Sequence, residues 1–204
     1  MDVRSHWEDV YATRDPKQVS WFRPHLERSL ELIERAAPDR RASIIDVGAG
    51  QSTLVDDLLR LGYEDITVLE ISQVALDALR KRVGKPGEAV QWICGDVTET
   101  LLPEASFDLW HDRAVFHFLT EADQRSAYVE RVKKALRPGG SLIVSTFGPS
   151  GPHRCSGLAT MRYDAASLGS EFGDQFRLVA SSLDLHETPS GAAQQFLSSW
   201  YRFS

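Results

Sequence analysis

Residues 43–52, Ser-Ile-Ile-Asp-Val-Gly-Ala-Gly-Gln-Ser, constrain the fold more than any other stretch of this chain. Ser43 to Val47 is an apolar, β-branched run carrying one acid, Asp46, as expected of a strand buried on both faces of a parallel sheet. Leu54, Leu58 and Leu61 then recur at i, i+4 and i+7, the spacing of one helix face. The turn between strand and helix has to be tight. Gly48 and Gly50 supply a backbone that other residues resist, and they allow a ligand to lie against the main chain with no Cβ in the way. Thr53 with Asp56 fits a capping box at the helix start. The unit is a ligand-binding strand-turn-helix.

Similar units follow. Strand-like runs near 43–47, 66–70, 89–93, 106–111 and 141–146 alternate with helical ones near 52–61, 73–83 and 121–136. This alternation predicts an α/β fold, a doubly wound and mostly parallel sheet with helices on both faces. Tyr128, Val132 and Leu136 share one helix stripe, which Pro138-Gly139-Gly140 ends. After residue 147 come a Gly/Pro/Ser-rich loop (148–157), a short helix (164–171) and two extended runs, Phe176–His186 and Ala193–Phe203. The turn Thr188-Pro-Ser-Gly191 between those runs predicts a closing antiparallel hairpin. Residues 1–40 read as helical and aromatic-rich, with Trp7, Tyr11, Trp21 and Phe22. The expected organisation is one domain: a helical lid (1–40), a binding core (43–147) and a substrate-side loop, helix and hairpin (148–204).

The 204 residues, 42% of them hydrophobic, suffice for a core without disulfides or metals. Cys94 and Cys155 form neither a CxxC pair nor part of a metal-ligand quartet, so no metal is expected and a reducing cytoplasm suits the chain. The first residues, Met1-Asp-Val-Arg-Ser-His-Trp-Glu-Asp, lack an apolar signal core, and no run reaches transmembrane length. A net charge of −6 argues against a nucleic-acid partner, and none with a membrane is expected. The basic cluster Arg80, Lys81, Arg82 and Lys85 reads as a solvated helix end complementing the dipole.

Two further acids sharpen the site. Val68-Leu69-Glu70 ends the second strand with a carboxylate twenty positions after Gly50, placed to accept from the hydroxyls of a ribose. Ile93-Cys94-Gly95-Asp96 ends the third with another, placed to accept from the exocyclic amine of an adenine. Ile71 and Val97, beside these acids, belong to the same expected site. A dinucleotide site would want Gly-x-Gly-x-x-Gly, but Thr53 stands at the sixth position and its branched side chain would crowd a pyrophosphate.

With Asp46-Val-Gly-Ala-Gly, Glu70, Gly95-Asp96, Phe107-Asp-Leu and Leu136-Arg-Pro-Gly-Gly-Ser-Leu, the chain resembles the class I S-adenosylmethionine-dependent methyltransferases over about residues 43–147. The resemblance implies a seven-stranded sheet with a reversed last strand. It also implies that Gly48 and Gly50 approach the methionine part of S-adenosylmethionine, that Glu70 binds its ribose and that Asp96 contacts its adenine. Ser52 replaces a glycine frequent in that family, and its hydroxyl is free to bond the cofactor.

Methyl transfer is an in-line displacement served mainly by positioning, and a base matters only if the nucleophile arrives protonated. Trp110-His-Asp-Arg-Ala-Val-Phe-His117 follows the fourth strand at the carboxyl edge, where such sheets keep their chemistry. It resembles the Asp-Arg-Gly or Asp-Lys-Gly stretch of small-molecule and protein-lysine methyltransferases. His117 is the preferred base, with His111 and Asp112 as further catalytic candidates, although either histidine also reads as a packed or strand-end residue. Asp112 and Arg113 also read as an ion pair fixing the loop. Arg113, His153 and Cys155 are candidates for the acceptor, with the thiolate favoured by neighbouring positive charge. Tyr11 and Trp21 are expected to stack on the cofactor and Arg23 to meet its carboxylate. A face of Phe196, Leu197 and Trp200 reads as a dimer contact or as inward packing, so monomer and homodimer both stand.

These features predict a methyltransferase acting on a small molecule such as a thiol or other soft nucleophile. The alternative is a protein-lysine methyltransferase. A non-catalytic cofactor-binding module and an NAD-binding protein are more distant.

Overall fold

The strands with β-branched residues assemble as expected in the computed structural model, which describes residues 2–204 and so leaves the first residue of the expected helical segment 1–40 outside. Five come from the repeating strand-helix units: β1 (Ser43–Val47), β2 (Asp65–Glu70), β3 (Gln91–Cys94), β4 (Phe107–Arg113) and β5 (Leu136–Phe147). A small hairpin, β6 (Arg154–Cys155) and β7 (Leu158–Ala159), stands apart, and the long pair β8 (Phe176–Glu187) and β9 (Ala193–Phe203) closes the sheet. The order is β3-β2-β1-β4-β5-β9-β8, with β9 antiparallel to both its neighbours. The strand order reverses between β1 and β4, and a crevice opens at the carboxyl ends of strands at such a point.

Two apolar layers explain why these runs lack polar alternation. Ile45, Val47, Trp110, Leu142 and Val144 pack on one face with residues of α5 (Ala122–Ala135) and α6 (Ala165–Phe172). Ile44, Leu109 and Ile143 pack on the other with α2 (Glu27–Ala36), α3 (Leu54–Arg60) and α4 (Gln73–Val83). Successive strand residues thus serve opposite cores. The remaining helix, α1 (Val3–Thr13), lies against α4.

Four expectations are corrected. The capping box fails because Thr53 donates to the Pro24 carbonyl at 2.7 Å and Asp56 pairs with Arg82 at 2.6 Å. Arg82 also reaches the carbonyls of Gln51 and Ser52, so it braces the glycine turn and is more than a solvated helix end. The strand expected at 141–146 starts at Leu136, directly after α5, and bends at Gly139, whose φ is 80°. Phe196, Leu197 and Trp200 all face inward. Within the closing hairpin the exposed apolar residues lie instead on edge strand β8, where Leu183 and Leu185 are 54% and 71% exposed.

Candidate active site

A cavity of about 150 Å³ opens where the strand order reverses. One end is built by the glycine turn and the ends of β1, β2 and β3. Gly48 and Gly50 have φ of 64° and 54°, in the region where a side chain is strained. A Cβ on Gly48 would come within 2.0 Å of Val115, and one on Gly50 within 2.4 Å of the Tyr11 hydroxyl. The turn is therefore clasped between the loop after β4 and helix α1.

Glu70 holds this end together. One of its oxygens accepts from the Gly50 N–H at 2.7 Å and the other from the Ser72 N–H at 2.9 Å. Burial raises its pKa to about 7, against the pull of those bonds. Asp46 pairs across the strands with His111, and its Oδ1 lies 2.7 Å from His111 Nδ1. Its other oxygen is buried with no partner, in a side chain that lines the cavity. Asp96 accepts through Oδ1 from the Thr98 N–H and hydroxyl, at 2.8 and 2.7 Å. Ser52, Ile71 and Val97 line the same end.

Aromatic residues roof the cavity. Trp7 stacks on Tyr11 with centroids 5.8 Å apart and meets Trp21 and Phe118 edge-on. The Ser20 hydroxyl and the Cys155 thiol approach to 3.8 Å, so the N-terminal segment touches the β6–β7 hairpin. Below the roof lies a floor of Phe147 and Phe196, neighbours across β5 and β9 with centroids 4.9 Å apart. His117 stacks on Phe147 at 4.3 Å, and the Arg113 guanidinium sits 4.8 Å over the Phe196 ring.

Several candidates take other roles here than the sequence suggested. His111 is buried with both ring nitrogens engaged, Nδ1 with Asp46 and Nε2 with Ser29 at 2.9 Å, so it offers no free lone pair. Asp112 accepts from Val115 N–H, Phe116 N–H and the Tyr128 hydroxyl, at 2.9, 3.1 and 2.7 Å. It shapes the loop after β4 and does not line the cavity. Burial raises its pKa to about 6. No Asp112–Arg113 ion pair forms, because adjacent strand residues point to opposite faces. His117 accepts the Phe147 N–H through Nδ1 at 3.1 Å, which leaves the proton on Nε2. Burial, reinforced by Arg113, drives its pKa down to about 3. It is a neutral donor rather than a base.

Arg23 is directed away from the glycine turn. Its Nε donates to His186 Nδ1 at 3.0 Å, in a second cavity that Arg113 also lines. His153 is exposed and lies outside the cavity. Cys155 does line it, but burial raises its thiol pKa, opposite to the expected thiolate. Tyr11, Trp21 and Arg113 line it as expected.

Three contributors escaped the sequence reading. Val115 fills the space beside Gly48, Phe196 forms part of the floor, and Glu8 docks α1. The two Glu8 oxygens accept from the Ser72 hydroxyl at 2.7 Å and from Gln73 and Val74 N–H at 2.9 and 3.1 Å. A Phe at the far end of β9 acquires meaning only once that strand is paired with β5. Among the described residues, no group of three His, Cys, Asp or Glu is arranged to hold a metal, and no helix is long and apolar enough to cross a membrane.

Residues 45–144 match the family model described as "Methyltransferase domain". The chain is 27% identical over 184 residues to the eEF1A lysine and N-terminal methyltransferase of Bos taurus, covering 88% of this chain and 25% of that protein. It is 26% identical over 181 residues to the malonyl-[acyl-carrier protein] O-methyltransferase of Halalkalibacterium halodurans, covering 87% and 59%. The chain thus spans well under two thirds of each of these relatives. It shares its fold with the solved 1,6-didemethyltoxoflavin-N1-methyltransferase of Burkholderia thailandensis, which has 1,6-didemethyltoxoflavin and S-adenosylhomocysteine bound. The TM-score is 0.77 at 23% identity, over 99% of this chain and 87% of that one.

Proposed function

We propose, from the methyltransferase-domain match and the fold, that the chain is a class I S-adenosylmethionine-dependent methyltransferase and that it methylates a small molecule enclosed in the cavity described above. S-adenosylmethionine is the cofactor of this class and supplies a methyl group on a sulfonium, which needs no further activation. The residues present suit it. The unpartnered Asp46 oxygen is a buried acceptor for an ammonium group, and its carboxylate is oriented by His111, itself held by Ser29. Glu70 keeps lone pairs for hydroxyls after its two backbone bonds, and the Asp96 Oδ2 is open to an amine.

The observation that carries the choice of acceptor is enclosure. Helix α1, the segment through Trp21 and the β6–β7 hairpin together cover the cavity, and aromatic side chains wall its far end. A pocket with mostly apolar walls and few polar groups suits a small ligand. A lysine presented on a protein surface would need a more open approach. The bovine relative favours the lysine reading as the second choice, since its match extends over 88% of this chain.

The test is calorimetric titration with S-adenosylmethionine, S-adenosylhomocysteine and NAD. The first two are expected to bind and NAD is not. Asp46→Ala is expected to weaken both by about tenfold or more, the cost of an ionic hydrogen bond, while circular dichroism stays unchanged. NAD binding alone, or unchanged affinity in the variant, overturns the site. Supplied with methyl-labelled cofactor and a cell extract, the enzyme is expected to label the low-molecular-weight fraction. Label confined to protein supports the lysine alternative.

A further inference from the structure

Arg113 ends β4 inside the cleft, and its only hydrogen bond among the described residues is a 3.3 Å contact from Nη1 to the Trp21 carbonyl. No carboxylate of the described residues lies within ion-pair distance. The nearest cation, Arg23, pushes in the same unfavourable direction as burial, and together they lower the Arg113 pKa to about 10. The acids lining the second cavity are otherwise directed. Glu27 stands 3.9 Å from Arg23, and Asp184 accepts from the Ser182 hydroxyl at 3.1 Å. His186 does not help, since Arg23 donates to its Nδ1 and its Nε2 donates to the Ser20 carbonyl.

Half-buried and without a counter-ion, the Arg113 guanidinium keeps donors free to take an anion in the cleft. A second unsatisfied donor lies beside it. The buried Nε2–H of His117 has no partner, and its ring stacks on Phe147, which meets Phe196 beneath the Arg113 guanidinium. The two donors therefore share one aromatic floor within a cavity that both line. The two rings hold the donors in place, His117 stacked on Phe147 and Arg113 over Phe196, and a planar fork of N–H groups selects an oxyanion.

We propose that the acceptor is a small organic acid, bound as its anion by the Arg113 guanidinium and the His117 Nε2–H, which the Phe196 and Phe147 rings hold in place. This rests on the reading of the cavity as a small-molecule methyltransferase site. It makes Arg113 and His117 acceptor-binding residues, and it explains why the chain keeps a cation where its own carboxylates do not reach.

The test uses the full chain saturated with S-adenosylhomocysteine and matched pairs of probes: benzoate with benzamide, salicylate with salicylamide, and 4-nitrophenolate with 4-nitroanisole. In the parent protein the anion of at least one pair is expected to bind about tenfold or more tightly than its neutral partner, the worth of a charge-assisted contact. Arg113→Met should erase that preference, leave S-adenosylhomocysteine affinity within about twofold, and leave Tm unchanged or raised because an unpaired cation is removed. Arg113→Lys keeps the charge without the fork and should retain a reduced preference, which carries the test if the methionine variant does not fold. The proposal is overturned if no anion binds more tightly than its partner, if a folded Arg113→Met keeps the preference, or if Arg113→Lys keeps it undiminished. Failure of S-adenosylhomocysteine itself to bind would instead strike the methyltransferase reading.

Discussion

His117 shows how a buried imidazole can serve a pocket without exchanging protons. Its Nδ1 lone pair is taken by the Phe147 N–H, and its neutral form is enforced by burial. The consequence for acid stability has a definite sign. The folded pKa, about 3, lies below the ordinary value of 6.5, so between these values the unfolded chain takes a proton that the folded chain refuses. The stability is fully present above pH 6.5 and is lost as pH falls toward 3, amounting to about 2 kcal/mol at pH 5. Glu70 and Asp112, raised to about 7 and about 6, act oppositely, losing stability as pH rises through their own windows. The difference between parent and variant isolates His117. In His117→Phe, stability at pH 7 minus stability at pH 5, measured by urea unfolding, should be lower than in the parent by about 2 kcal/mol. An identical pH dependence would contradict the buried neutral imidazole. Residue roles of this kind were only half legible. The sequence placed Asp46, Glu70, Asp96 and Arg113 at the cleft by position alone. Which atoms remained free depended on partners far along the chain, such as Ser29 for His111 and Tyr128 for Asp112.

Among the elements, those with strong periodicity were the most readable. Helix α4 and strands β1 and β9 begin and end where their patterns predict, because each buries a continuous stripe or face. Helix α1 was not readable in the same way. Glu8 looks like an ordinary polar-face acid, yet it supplements the Ser72 cap of α4 by accepting two more of that helix's free N–H groups. This makes α1 a cover held by one carboxylate at its middle and by the Trp7 cluster over the cavity. Glu8→Ala is expected to cost about 1 kcal/mol of stability, the worth of a lost cap. It should also speed release of S-adenosylhomocysteine in stopped-flow displacement. An unchanged release rate would show that α1 plays no part in retention.

At the scale of the whole molecule, the sheet has a protected middle and two unlike edges. Strands β1, β4 and β5 are buried on both faces, while β8 leaves one edge unpaired and carries exposed leucines. Backbone groups with fewer buried neighbours open more often. Amide hydrogen exchange should therefore be slowest in β1, β4 and β5 and faster along β8; equal protection across the sheet would contradict this graded order. The interlock of Gly48 with Val115 reaches further, into how such a protein can change over generations. A larger residue at 115, or a shift of the backbone around it, presses directly on the glycine turn. Change is thereby steered away from position 115, and from Tyr11 against Gly50, and toward the β6–β7 hairpin. Variation is channelled to that hairpin because the packing around the glycine turn leaves no room for it.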